Sequence, residues 1–450
     1  MSRKYSLTSG NSSVSYWRKL VRRITPILAV ALLALALPTA PAVAAGTTLT
    51  IGVVAPFTGA DAALGPKYET ACLAATQQIN AKGGILNHKF TCKIADTRGD
   101  PADAVPAVRQ LYATTRNLAF VIGCTSDEAS TVVPVFGANA TVSFCMTGES
   151  EFDSVKFPYF FRLVPPDAAD AVAMVAIAKN NGYKTVSLAF GNDAGSQTFV
   201  APGLAALAKA GIKVVSNQTL DMNAGTFQSE AQAIVAAKPD AILMEALGSA
   251  GVALLKEIYQ LNGNKMIPTI GTSAMIDPVF YGGITAAGAI PVDTFDANFF
   301  ADNQVATSKT AAQPLFTKSV LAQKGKFAGA TTKYLNTLLS ANGTVHLYDG
   351  INLAALAMQM SGSTSGSVFK ADILKIANGV KGAVLVNSVA QGVAALKAHK
   401  AIRYQGVGGT YNFDAFQTAF GAFESDKFTA SGSTVSVATL DAKLLNSLTN

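Results

Sequence analysis

The chain has 450 residues, 50% of them apolar and only 14% charged, a balance that excludes a disordered or low-complexity protein and supplies at least one large core. The formal charge of +7 sits at one end: Arg3, Lys4, Arg18, Lys19, Arg22 and Arg23 lie within residues 1–44, with no acid among them. Taking those six from the total leaves +1 for the rest, too little for the concentrated basic face that nucleic acid requires.

In chain order the first element is an export signal over 1–44. A basic stretch ends at Arg22-Arg23, an uninterrupted apolar run covers 27–37, Pro38 and Pro41 end it, and Ala42-Val43-Ala44 supplies the small residues of a cleavage site. The apolar run is well short of the roughly 20 residues a spanning helix needs. The expectation is an exported protein, periplasmic or extracytoplasmic and soluble once cut before Ala45. The first cysteine is Cys72, so none stands at that point to carry a lipid.

Apolar runs rich in β-branched residues then alternate with Ala-rich stretches at helical period. Strands are expected over 49–54, 89–95, 118–122 and 141–146, and helices over 66–81, 102–114 and 129–138. The run 159–163 meets Pro165-Pro166, which continues neither a strand nor a helix and marks a crossover. A second unit follows, with helices over 168–180, 196–210, 227–237 and 250–261 and strands over 185–190, 213–215, 241–244 and 268–271. The pattern predicts an α/β protein of two doubly wound lobes with an interlobe cleft. The polar stretch 298–330 offers no strand. Helices over 348–360 and 369–377 follow, and the glycines within 404–414 suggest a hairpin or turn.

Ligands of open α/β sheets bind beyond the carboxyl ends of the strands. That rule selects 56–59, 123–128 and 147–150 in the first unit and 191–196, 245–249 and 272–274 in the second. Helix N-termini after Thr125-Ser126 and after Gly148 would offer unpaired N–H groups, although Ser126 serves equally as an N-cap. Asp127 and Asp193 have the same two readings. Glu245 directly follows the apolar run Ile242-Leu243-Met244, where sheet meets cleft.

Catalytic constellations are poor. His88, His346 and His399 fall on expected surface turns or helix ends, away from the strand-end loops, and there is no nucleophile elbow, Walker A sequence or dinucleotide fingerprint. The expectation is a protein that is not an enzyme and uses no cofactor or metal. In an exported chain four cysteines suggest two disulfides. Cys124 and Cys145 follow adjacent strands and can meet beside the cleft, leaving Cys72 and Cys92 to join the first helix to the second strand; buried free thiols are the alternative.

Several of these segments resemble one family. Residues 51–59 with the following helix and Ile79-Asn80-Ala81-Lys82-Gly83-Gly84-Ile85 look like the opening of the leucine/isoleucine/valine-binding proteins, the extracytoplasmic substrate-binding components of ABC importers. Phe120-Val121-Ile122-Gly123, Tyr159-Phe160-Phe161-Arg162, the helix 351–360 running into Ser361-Gly362-Ser363-Thr364, and the segment 404–414 are similar as well. The resemblance implies a type I periplasmic-binding fold with three crossovers, lobe one being 45–164 and 290–408 and lobe two 165–289 and 409–450. It implies a monomer that closes like a hinge over a small-molecule ligand and delivers it to an ABC importer permease. A sensor for a signalling partner and an exported enzyme are the alternatives.

In the relatives, the loop after the third strand binds the ligand carboxylate, which carries over to Thr125, Ser126 and Asp127, the last an acid where a serine is usual. The loop after the fourth carries over to Gly148 and Ser150. In the second lobe an aromatic is replaced near Ala194, and the ammonium-holding acid is replaced near Ser273. With Phe57, Asp193 and Glu245 these complete the candidate set. The replacements open the ligand class to an amino acid, an amide or an organic or aromatic acid.

Overall fold

The computed structural model describes residues 46–286, 289–304, 310–327 and 329–449; the expected export signal over 1–44 lies outside the described residues. Its first strand, β1 (Leu49–Ala55), is buried at every position. It has no polar face because helices cover the parallel sheet on both sides. β2 (Phe90–Asp96), β3 (Leu118–Thr125), β4 (Ser143–Met146) and β5 (Phe160–Arg162) join it in the order β2-β1-β3-β4-β5, every pair parallel. The strand order reverses between β1 and β3, so a crevice opens at their carboxyl ends.

The helix Gly65–Ala81 follows β1 and stops where the Gly84 amide donates to Ile79 O at 3.1 Å. Gly84 has φ +83°, and a Cβ there would lie 1.9 Å from His88 O. Only glycine fits this turn, which accounts for part of the Lys82-Gly83-Gly84 run.

The second sheet repeats the first. β6 (Thr185–Gly191), β7 (Lys213–Leu220), β8 (Ala241–Glu245), β9 (Thr269–Gly271) and β10 (Phe299–Asn303) run parallel in the order β7-β6-β8-β9-β10. A small sheet of β11 (Val384–Val386), β12 (Ile402–Gly406) and β13 (Gly409–Thr410) contains the expected hairpin, β12 and β13 pairing antiparallel. β14 (Glu424–Phe428) and β15 (Thr434–Thr439) extend the second sheet antiparallel beyond β10. Residues Gly46–Asn450 form one compact unit.

The chain passes between the sheets after β5, after β10 and before β14. Arg162 ties the first passage to the third. Its amide donates to Gln417 O and its carbonyl accepts from the Ala419 amide, both at 2.9 Å. Its guanidinium, 1% exposed, donates to Thr418 Oγ1 at 3.0 Å, Glu149 O at 3.2 Å and Asp153 Oδ1 at 2.7 Å.

Four expectations need correction. The stretch 298–330 contains a strand, β10, whose polar end was misleading: Asp302 and Asn303 are fully buried, and Asn303 Nδ2 donates to Asp426 Oδ2 at 2.8 Å. Residues 299–303 therefore join the second sheet and not lobe one, where the resemblance puts 290–408, and 409–410 pair with β12 rather than with the second sheet. The helix expected over 196–210 is two, Ala194–Gln197 and Val200–Ala210. His346 is not on the surface. It is fully buried in the helix Asn342–Ser361 with Nδ1 2.7 Å from the Tyr411 hydroxyl, and burial pushes its pKa down to about 3.

Both cysteine pairs are bonded, Cys72 with Cys92 and Cys124 with Cys145. The first ties the helix Gly65–Ala81 to β2, and the second joins the ends of β3 and β4 beside the cleft.

Candidate ligand cleft

The carboxyl ends of the two sheets face each other across a cavity of about 100 Å³. Hydrogen bonds join the lobes around it, the Asp167 amide donating to Gly148 O at 2.8 Å where the chain first passes between them. Asp127 Oδ1 accepts from the Gly195 amide at 3.0 Å, Lys67 Nζ donates to Ala274 O at 2.8 Å, and Asn342 Nδ2 donates to Ser273 Oγ at 3.1 Å. The lobes are thus drawn together over the cavity.

From the first lobe the helix Ser126–Ala138 points its N-terminus at the cleft. Thr125 and Glu128 cap it: Glu128 Oε1 accepts from the Thr125 amide at 3.0 Å and Oε2 accepts from the Thr125 hydroxyl. Ser126 is therefore not the cap; its hydroxyl donates to Thr147 Oγ1 at 3.3 Å. Gly148 lies so close to the first passage that a Cβ would stand 1.8 Å from Asp167 Oδ1. In the second lobe Asp193 caps Ala194–Gln197, accepting from the Ser196 amide at 2.7 Å. Glu245 accepts from Ser196 Oγ at 3.2 Å and from the Thr272 hydroxyl.

Of the candidate residues, Thr125, Ser126, Asp127, Gly148, Asp193, Glu245 and Ser273 line the cavity. Phe57 and Ser150 do not. The Phe57 ring packs by Gly65 and its amide donates to Asp96 Oδ1 at 2.9 Å, while Ser150 opens an exposed turn. Sequence reasoning missed Asp61, Lys67, Tyr68, Asp167, Asp170 and Asn342, which also line it. Asp61 lies only two residues beyond the loop taken after β1. Lys67, Tyr68 and Asn342 project from helices, and no pattern in the sequence marks their inward faces.

The cavity is dominated by carboxyl groups. Burial pushes Glu245 up to about 8, helped by the charge of Asp193, and Asp167 up to about 7. Asp61 is raised well above the usual range by burial and by its neighbour Asp127, and Asp193 is raised by burial. Asp170 is raised by burial and by the facing Asp302. Burial lowers the Lys67 ammonium, and Asp277, Glu245 and Asp61 oppose that shift. Such a site can hold polar donors; among the described residues no group of three or more His, Cys, Asp or Glu is arranged to hold a metal ion.

A family model described as a periplasmic binding protein matches residues 48–418. The chain belongs to the periplasmic binding protein family. Among curated proteins it is similar to a Leu/Ile/Val-binding protein of Rhizobium johnstonii, 29% identical over 285 residues that make up 61% of this chain and 74% of the relative. A Leu/Ile/Val-binding protein homologue of Brucella melitensis is 25% identical over 62% of this chain and 75% of its own.

Solved structures carry the same fold. A type 1 periplasmic binding protein of Bordetella pertussis superposes with a TM-score of 0.68 at 20% identity, over 85% of this chain and 97% of that one. A solute-binding protein of Rhodopseudomonas palustris in complex with benzoate gives 0.67 at 17%, over 87% and 96%. A branched-chain amino acid binding protein of Streptococcus pneumoniae in complex with isoleucine gives 0.64 at 17%, over 87% and 98%.

The two doubly wound lobes and their crevice are the type I arrangement of periplasmic binding proteins. This family and its structural neighbours are solute-binding proteins rather than enzymes. Among the described residues of this periplasmic binding protein, no helix is long and apolar enough to cross a membrane.

Proposed function

We propose that this periplasmic binding protein captures a small polar molecule outside the cytoplasm by closing its two lobes and delivers it, as a monomer, to the permease of an ABC importer. The observation that carries the reading is the cavity itself: strand-end loops of both sheets line it, and hydrogen bonds cross it between the lobes. The export-signal pattern of residues 1–44 and the two disulfides support an oxidising compartment. Thr125, Ser126, Asp127, Gly148, Asp193, Glu245 and Ser273 are the proposed ligand contacts. Sheet membership and packing support one lobe of 46–162 with 313–418 and another of 167–304 with 424–449.

A ligand that binds the closed state stabilises the fold by RT ln(1 + [L]/Kd), about 2.7 kcal/mol at a hundredfold excess over Kd. Thermal melting of the protein from Ala45 onward, against a library of amino acids, amides, amines and organic and aromatic acids, tests the reading. A saturable rise with one class, weakened in Ser126→Ala and Glu245→Ala, is expected. Turnover of a cleft ligand, or no binding by any class, would overturn it.

A further inference from the structure

Six carboxyl side chains and one lysine line the cavity. Part of this acidity is already answered: Asp167 Oδ2 accepts from Thr198 Oγ1 at 2.5 Å, and Gln304 Nε2 donates to Asp170 Oδ1 at 3.3 Å. Asp127 and Asp193 each accept one backbone N–H, yet among the described residues no ion pair reaches these two or Asp61. All three also line an adjoining outer chamber of about 390 Å³ with Asp100 and Asp103, where Arg98 is paired with Asp103 at 3.4 Å. Lys67 is held by Ala274 O and faces Asp277, Glu245 and Asp61. Neither cation is free to balance the three carboxyls.

The unpartnered buried atoms point the same way. Asp61 is 3% exposed with no partner on Oδ1, and Asn342, on another element, is 5% exposed with none on Oδ1. Asp193 Oδ2 is the third such atom among the described residues that line the cavity. Asn342 Oδ1 is an acceptor outright, and the two carboxyl oxygens are acceptors once ionised, so the site is short of N–H donors for its charged form. The same cavity is also lined by the apolar Leu64, Met146, Val164, Phe199 and Leu247.

Resting on the solute-binding reading, we propose that the ligand is a net cation, a protonated organic amine on a small apolar body, with its ammonium among Asp61, Asp127 and Asp193. An ammonium has three donors and no acceptor, and matches the orphaned oxygens in both charge and polarity. A carboxylate in the same place would be repelled by all three acids. Burial, and the neighbouring acids after it, raise Asp61 and Asp193 above the usual carboxyl range. Amine binding therefore expels protons, and Asp61, Asp127, Asp193 and Glu245 from the loops and Lys67 and Asp277 beside them are the groups whose charges set the balance.

The test is a panel matched in carbon skeleton and differing in charge. Isopentylamine, leucine, isocaproate and isocaproamide form one set, and phenethylamine, phenylalanine, phenylpropanoate and phenylpropanamide the other. Calorimetry on the mature protein is expected to show the amine binding at least tenfold more tightly than its three counterparts in at least one set, with proton release measured across buffers of different ionisation enthalpy. Asp61→Asn and Asp193→Asn, checked for an unchanged or raised melting temperature without ligand, are expected to weaken amine binding tenfold or more. Tighter binding of a carboxylate, an amino acid or an amide overturns the charge assignment and leaves solute binding intact. Unchanged amine affinity in both variants overturns the placement, and no binding by either amine overturns the proposal, with solute binding then judged by the wider library.

Discussion

Asp127, in the first turn of a first-lobe helix, accepts a hydrogen bond from the Gly195 amide at the start of a second-lobe helix, at 3.0 Å. The contact joins the lobes directly. A hydrogen bond to a charged acceptor contributes about 1.5–3 kcal/mol. Asp127→Ala is therefore expected to shift unliganded protein towards the open form by roughly tenfold or more. Small-angle scattering should report a larger radius of gyration for the variant; an unchanged value would show that this contact does not hold the lobes together.

Arg162 is expected to be the most sensitive position in the connecting strands. It is 1% exposed and bonds to residues on both sides of the passage. Arg162→Met leaves the half-buried Asp153 without its cation and Thr418 and the Glu149 carbonyl without that donor, a loss of about 2–3 kcal/mol. Denaturant unfolding measures it, and a loss below about 1 kcal/mol would contradict the assignment.

Without added ligand, Glu245 should make stability fall as pH rises. Glu245 is raised from 4.5 to about 8 in the folded protein. A raised acid binds its proton more tightly when folded, so its contribution is greatest below about 4.5 and is lost on the way to about 8. Glu245→Gln is expected to flatten that part of the stability profile and to raise the melting temperature at pH 8 relative to wild type. A variant that melts lower at pH 8 but not at pH 5 would reverse the sign and refute the account.

Cys72 and Cys92 close a loop across a sequence separation of 20. Chain entropy for a loop of that size is worth about 3 kcal/mol. The double change Cys72→Ser and Cys92→Ser should lower unfolding stability by about that amount without altering ligand affinity, since neither residue lines the cavity.

Gly148→Ala separates packing from chemistry in the cleft. Its new methyl would meet the Asp167 carboxyl at 1.8 Å, so Asp167 or the passage must move. Weaker binding of whatever the cleft takes, by tenfold or more, is expected in calorimetry, with the helices of each lobe still formed by circular dichroism.

The alternation of strands and helices was legible because parallel strands covered on both faces are almost wholly apolar, as in β1 and β8. β10 was not, because it ends in Asp302 and Asn303, whose burial depends on partners more than a hundred residues away, such as Asp426. The strand-end rule found Ser126, Asp127, Asp193 and Glu245 from position alone. It could not find Lys67 or Asn342, since both reach the cleft from helix surfaces and Asn342 arrives after the second passage of the chain. The buried state of His346 was equally hidden, as its Tyr411 partner belongs to the distant hairpin segment.

The side-by-side passages at Arg162 and Thr418 have a mechanical consequence. A single connecting strand would let one lobe swivel, slide and bend against the other. Strands laid parallel and cross-linked by backbone hydrogen bonds behave as a flat strap, compliant in flexure and stiff in torsion and shear. On the proposed solute-binding reading, such a strap favours bending over twisting or sliding, so the work done by an arriving molecule would go chiefly into one opening angle.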